Sequence, residues 1–178
     1  MIEFLKDRYE VIEKSNTLFK IKIDAKELVS TIDFISMNSS FITLAQITCV
    51  DWIEDEIFSL NYILTTNMRD KNLMLEVDIG RENSSLATLL NIFPQAEVME
   101  RDLHEMYGID FVGNRTLYDF ALENWNDIPP LRREFDSLAY VNENFNFRSG
   151  REDNKDVKVE MKRRRAEAKR LKELNATK

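Results

Sequence analysis

The sequence predicts an α+β fold: two layers, with a mixed or antiparallel sheet carrying helices on one face, then an extended C-terminal arm and a basic helical tail. Three β-rich runs, residues 41–52, 56–66 and 72–79, follow one another across turns too short for crossovers, which predicts an antiparallel meander. Within them Phe58, Leu60, Tyr62 and Leu64, then Leu73, Leu75 and Val77, recur at every second position. Helical periodicity brackets these strands, at residues 25–37 and 94–107.

Residues 1–12 are expected to form a short helix burying Ile2, Leu5, Tyr9 and Ile12. The run LFKIKI at 18–23 alternates as a half-buried strand. Asp24 suits the N-cap of a helix reaching about Met37, with Glu27 placed as in a capping box and Leu28, Ile32 and Ile35 on the core face. Asn38-Ser39-Ser40 ends it. The strands turn at Glu54-Asp55 and over residues 67–71, and Ser84 or Ser85 is expected to cap a helix through Ile92. Pro94 suits the first turn of the next helix, since its missing N–H costs nothing there. Val98 or Met99, Leu103, Met106 and Tyr107 then form one apolar stripe, and Gly108 stands where a left-handed C-cap is needed. Glu97, Arg101 and Glu105 share a face of this helix, the arginine between two carboxylates, so ion pairing is expected. Beyond the cap, Ile109, Phe111 and Val112 return to a core or an interface, and Gly113 permits another turn.

Residues 114–150 read differently. They are aromatic-rich and weakly periodic, with Tyr118, Phe120, Trp125, Phe135, Tyr140, Phe145 and Phe147. Bulky rings oppose plain disorder, so an extended arm packing on another protein is expected. The organisation is therefore a core domain at 1–113, a docking arm at 114–150 and a charged tail at 151–178.

The 178 residues, 43% hydrophobic and 32% charged, suffice for one globular core. No apolar run reaches membrane-spanning length and no signal peptide is evident, so a cytoplasmic chain is expected. Residues 155–178 carry ten Lys/Arg against four acids, a net of +6. The rest, with 15 Lys/Arg and 28 Asp/Glu, is left at −13. Such a body repels phosphate, which disfavours nucleic acid as its partner; the basic tail leaves that reading open for itself.

Cofactor chemistry finds few residues to work with. Cys49 is the single cysteine and His104 the single histidine, which excludes a self-contained iron–sulfur or cysteine-based zinc site. His104-Glu105 is similar to the first half of an H-E-x-x-H zinc helix, but Gly108 occupies the second histidine position. Four glycines supply no nucleotide cradle. Glu100, Asp102, Glu105 and Asp110 could do acid/base work, which keeps a free-standing enzyme as a rival reading. Surface pairing with Arg101 is the commoner fate of such carboxylates. Arg132 and Arg133 are expected to meet a partner's acids, or else Glu134 or Asp136 of this chain. No catalytic residue, bound cofactor or metal is assigned to the chain, which reads as a binding or assembly module.

Two blocks sharpen this. Glu100-Arg101-Asp102 with Met106-Tyr107-Gly108-Ile109-Asp110-Phe111-Val112-Gly113, and then Pro130-Leu131-Arg132-Arg133-Glu134-Phe135, resemble the thirty-kilodalton (C-type) family of respiratory complex I subunits. That family extends to the corresponding component of membrane-bound energy-converting [NiFe] hydrogenases and ferredoxin-linked complexes. The stretch 114–120 lacks the His-Pro-Asp-Leu-Arg-Arg run usual in quinone-linked members, and Asp102 and Glu105 are exchanged relative to the family's order. These departures favour the hydrogenase-like relatives. The resemblance implies a two-layer fold and a non-catalytic hydrophilic subunit in the peripheral arm of an oxidoreductase complex, on the cytoplasmic face of the membrane near the membrane arm. Its implied partners are a large hydrogenase-like (D-type) subunit and a small iron–sulfur subunit. Iron–sulfur clusters and a NiFe site are expected in those partners rather than here. Glu100, Arg101, Asp102, Tyr107, Arg132 and Arg133 are the expected docking surface.

Overall fold

A computed structural model describes residues 3–144; the basic tail and the last residues of the expected arm lie outside the described residues. Among the described residues, five strands build the main sheet in the order β1-β2-β5-β4-β3. These are β1 (Ile12–Glu13), β2 (Leu18–Ile23), β3 (Phe41–Trp52), β4 (Ile57–Thr66) and β5 (Asn72–Gly80). The meander β3–β4–β5 is antiparallel as expected, with Leu44 opposite Leu64 and Leu60 opposite Val77. β2 then pairs parallel with β5, Ile21 opposite Leu75, which makes the sheet mixed. A parallel neighbour requires a crossover, and the helix α2 (Leu28–Asn38) with the meander supplies it.

Period-two patterning puts Phe58, Leu60, Tyr62 and Leu64 of β4 and Leu73, Leu75 and Val77 of β5 on one fully buried face. Leu28, Ile32 and Ile35 of α2 and Leu103 of α3 (Ala96–Tyr107) share that hydrophobic cluster. Asp24 caps the helical segment that leads into α2 by accepting from Lys26 N at 2.9 Å, but residues 25–27 form a 3-10 turn and the α-helix proper starts at Leu28. β4 begins at Ile57, not at 56, because Glu56 takes a left-handed φ of 56° that a strand cannot contain.

Two elements differ from expectation. Among the described residues the first helix, α1, is Glu3–Lys6: Leu5 is buried, but Ile12 lies 42% exposed in β1, and Ile2 lies outside the described residues. The helix expected over 84–92 is instead β6 (Ser85–Ala87), paired parallel with β7 (Asp110–Val112). Leu86 stands opposite Phe111 there and both are buried, so a long-range pairing outweighs the local capping signal. A turn at 89–93 then leads into α3, with Leu89 and Phe93 buried.

A first compact unit comprises residues 1–135, so residues 114–135 of the expected arm lie within it; a second comprises 136–178. In the second, Asp136 accepts from Leu138 N and Ala139 N, capping α4 (Ser137–Asn144).

Candidate functional site

The helix α3 organises the site. Gly108 ends it at φ 74°, donating its N–H to His104 O at 2.8 Å, the expected left-handed cap. A Cβ at Gly108 would lie 3.2 Å from both Arg132 Nη2 and Pro129 Cγ, because residues 129–132 pass directly over the cap. At Gly113, φ 100°, a Cβ would meet Thr88 Cγ2 at 2.9 Å.

Glu100 points inward. It is fully buried and accepts from Leu89 N at 2.8 Å, Thr88 Oγ1 at 2.6 Å and Asn114 Nδ2 at 3.0 Å. This corrects the expectation that Glu100 belongs to a docking surface: a carboxylate taken out of water needs its donors inside the fold, and these three tie α3 to the β6 exit and to the turn after β7.

Arg101 and Glu105, one turn apart, grip the segment that follows. Arg101 donates from Nε to Tyr118 O at 2.9 Å and from Nη2 to Asp119 O at 2.7 Å, and stacks over the rings of Tyr118 at 4.0 Å and Phe120 at 4.8 Å. Glu105 accepts from the backbone N–H groups of Phe120, Ala121 and Leu122 at 2.8–3.1 Å. Burial pushes the Glu105 carboxyl upward, but the three N–H groups and Arg101 outweigh it and hold it below the usual carboxylate range. Expected ion pairing between Arg101 and its helix neighbours is thus replaced by backbone recognition of the strap at 118–122. Asp102, half-buried, is pushed up by burial and then by the charge of Glu105.

A second clasp holds residues 129–135. Arg132 Nε donates to Tyr107 O at 2.7 Å, its guanidinium lies 5.2 Å over the Phe58 ring, and it pairs with Glu134 at 3.8 Å. Glu134 is one of the two internal partners expected for it. Arg81 pairs with Asp51 at 2.7 Å, with Asp51 itself buried, and also with Glu134. Asp51 further accepts from Arg133 N at 2.9 Å, while the exposed Arg133 side chain reaches Glu54 at 3.5 Å. Tyr107 donates its hydroxyl to Cys49 O at 3.2 Å and sets its ring edge-on to Phe58. Burial first, then the charges near Cys49 and Asp51, pushes its phenol up.

Of the six expected residues, Arg101, Tyr107 and Arg132 work on this chain's own backbone, Glu100 is internal, Asp102 is half-buried and Arg133 is exposed. Sequence reading missed Thr88, Asn114, Asp51 and Arg81 as their counterparts, because nothing in their local pattern signals a partner a dozen or more residues away. A cleft of about 230 Å³ between α3 and the strap, bordered by His104, Glu105 and Trp125, is smaller than the sites that usually enclose a small ligand. His104 donates from Nδ1 to Ile109 O at 2.9 Å. Among the described residues, no group of three or more His, Cys, Asp or Glu could hold a metal ion, and no helix is long and apolar enough to cross a membrane.

Fold and clasps together define an α+β module whose helix–cap–strap segment is fixed by buried and half-buried polar contacts. The family described as respiratory-chain NADH dehydrogenase, 30 Kd subunit, matches residues 21–141, and the chain belongs to it. The C subunit of NADH-quinone oxidoreductase from Ruegeria pomeroyi is 30% identical over 128 residues, covering 68% of this chain and 62% of that protein. Its counterpart from Bartonella tribocorum is 33% identical over 106 residues, covering 57% and 50%. The C/D subunit of the Proteus mirabilis enzyme is 36% identical over 83 residues, which is 46% of this chain and 14% of that one. The chain thus spans less than two thirds of the length of these relatives. Among solved structures, a chain of the archaeal membrane-bound sulfane sulfur reductase superposes with a TM-score of 0.71 at 24% identity, covering 83% of this chain and 93% of that one. The trypsin-resistant fragment of Nqo5 superposes with a TM-score of 0.55 at 18% identity, covering 66% and 94%. Both show the shared fold.

Proposed function

We propose that this chain is a non-catalytic docking subunit of a membrane-bound oxidoreductase complex, of the complex I or [NiFe]-hydrogenase type. It binds a large D-type subunit and a small iron–sulfur subunit at the cytoplasmic face of the membrane. Its role is to assemble and support electron transfer coupled to ion translocation, with iron–sulfur clusters and a NiFe site, where present, held by the partners. Family membership carries this reading, and the clasped strap supports it: α3 devotes Arg101 and Glu105 to fixing a backbone on which Tyr118 and Phe120 stay exposed. Such preorganisation lowers the ordering cost of binding. The joint C/D naming of the Proteus mirabilis relative agrees with a C-type and a D-type polypeptide working side by side.

Asp102 and Arg133 are the accessible members of the docking set in this proposal; Arg101, Tyr107 and Arg132 act by holding the strap. The test is recovery of the tagged full chain from mildly solubilised native membranes. Expected is stoichiometric co-elution with a large hydrogenase-like subunit and a protein with iron–sulfur absorption. Recovery as a lone monomer at low salt overturns the proposal. If the recovered complex oxidises NADH with a quinone, the chain is the C-type component proper of an NADH:quinone oxidoreductase; hydrogen or ferredoxin turnover assigns it to the hydrogenase-like branch.

A further inference from the structure

Four of the exposed large hydrophobic residues fall within one short stretch beyond α3: Tyr118 at 60%, Phe120 at 47%, Ile128 at 43% and Leu131 at 53% exposure. The backbone beneath them is anchored at both ends, by Glu105 and Arg101 near 118–122 and by Leu131 N to Met106 O at 3.1 Å. Between them Trp125 closes the loop, donating Nε1 to Ile128 O at 3.1 Å and packing edge-on against Phe135. The strip is therefore an apolar surface displayed on a fixed frame. Its charge is one-sided: residues 116–128 hold Asp119, Glu123 and Asp127, all exposed, and no lysine or arginine. Of the nearby cations, Arg101 is committed to two carbonyls, Arg132 to Tyr107 O and Arg133 to Glu54, while Arg115 stands exposed just before the stretch, one arginine against these three carboxylates.

Exposed apolar side chains interleaved with exposed carboxylates favour a complementary face that is apolar but carries cations, since like charges across an interface are costly. We infer that residues 118–131 dock a partner protein of the complex through such a basic-rimmed apolar surface, with Asp119, Glu123 and Asp127 steering the encounter and Ile128 and Leu131 setting its lifetime. This rests on the docking proposal above and specifies the chemistry of the partner. It also reverses the polarity expected from the sequence, in which arginines of this chain met a partner's acids: here Arg101 and Arg132 hold the frame while the carboxylates face outward.

The test is association kinetics of the full chain with the purified D-type subunit of the same organism as ionic strength is varied. Two variants separate the contributions. Asp119→Asn/Glu123→Gln/Asp127→Asn keeps the Asp127 side-chain carbonyl that accepts from Ile128 N, and is expected to slow association roughly 10-fold or more at low salt and to flatten its salt dependence. Ile128→Ser/Leu131→Ser alters exposed side chains and is expected to speed dissociation about 10-fold with little change in association rate. Unfolding midpoints near that of the parent chain verify that both variants fold. Parent binding with unchanged kinetics in both variants overturns the inference and leaves the docking proposal standing. Parent binding that grows faster in the neutralised variant assigns an acidic partner face and also overturns it. No binding by the parent chain overturns both. Concentration-dependent self-association lost in the Ile128/Leu131 variant assigns the strip to a second copy of this chain, against the inference.

Discussion

Glu100 offers the sharpest test of the internal architecture. Truncation by Glu100→Ala removes both carboxylate oxygens and leaves three donors, Leu89 N–H, the Thr88 hydroxyl and the Asn114 amide, facing a void. An unsatisfied buried donor costs about 1–3 kcal/mol. Thr88 can redirect its hydroxyl, so the sum is smaller than three full penalties, about 3–5 kcal/mol. Glu100→Gln is the finer probe. Its carbonyl can keep Leu89 N–H, but its NH2 then confronts the Asn114 NH2. Asn114 cannot flip to help, because its Oδ1 already accepts from Thr116 N at 2.9 Å and Thr116 Oγ1 at 2.6 Å. Two donors meet, and the loss is about 1.5–3 kcal/mol, the worth of a hydrogen bond to a charged group. Urea unfolding of the parent and both variants, followed by tryptophan fluorescence with the slope of the transition held as a check, measures these values. For a chain of this size the alanine variant should melt roughly 6–20 °C lower. If both variants unfold within about 0.5 kcal/mol of the parent, the buried-network account of Glu100 fails.

Four further outcomes follow from the same contacts. Arg81→Ala strands the buried Asp51 carboxylate and should cost about 3 kcal/mol in urea unfolding, with Arg81→Lys restoring only part because one ammonium cannot reproduce the two-pronged pairing. Gly108→Ala forces a left-handed residue and a Cβ against Arg132 and Pro129, so the melting temperature should fall by the equivalent of about 1–2 kcal/mol or more. The Cys49 thiol, pushed up to about 12 by burial and then by the Asp51 charge, should resist a thiol-reactive dye at pH 8 in the native protein and react at once in denaturant. Glu105, held below the usual carboxylate range in the folded chain, contributes stability above its unfolded-state value and loses it as pH falls through the lowered one. The protection of the Phe120, Ala121 and Leu122 amides, taken relative to their intrinsic exchange at each pH, should therefore fall on acidification through and below the usual carboxylate range, and Glu105→Gln should abolish that pH dependence of protection.

How far the sequence carried the fold depended on the range of the forces involved. The β3–β4–β5 meander and the Gly108 cap were legible because each is specified by neighbours: period-two burial in Phe58 to Leu64, and a glycine placed just after an apolar stripe. The β6 strand was not, since Ser84 and Ser85 carry a local helix-start signal and only the distant Phe111 makes Leu86 a strand residue. At the site, Glu100, Arg101 and Tyr107 of α3 all make long-range contacts, but the directions of those contacts were not readable from sequence. Helical spacing places Arg101 beside Glu97 and Glu105 without disclosing that a strap 17 residues further on presents two carbonyls at better geometry. Glu100 looked like its charged neighbours in sequence, and only the arrival of Thr88, Leu89 and Asn114 makes it internal.

The directions of these arginines bear on what this surface can do. A guanidinium has five donors in a rigid fork, and Arg101 already places two on carbonyls while its face covers two rings. Redirecting it to a partner's acid would release the 118–119 backbone, and with it the frame that displays Tyr118 and Phe120. The same holds for Arg132, whose withdrawal would free Tyr107 O and uncover Phe58. A partner that competed for these arginines would dismantle the surface it was binding, whereas one that meets the outward carboxylates leaves the arginine-to-carbonyl bonds intact. In the proposed docking mode the arginines are therefore internal fasteners and the strap is the presented surface.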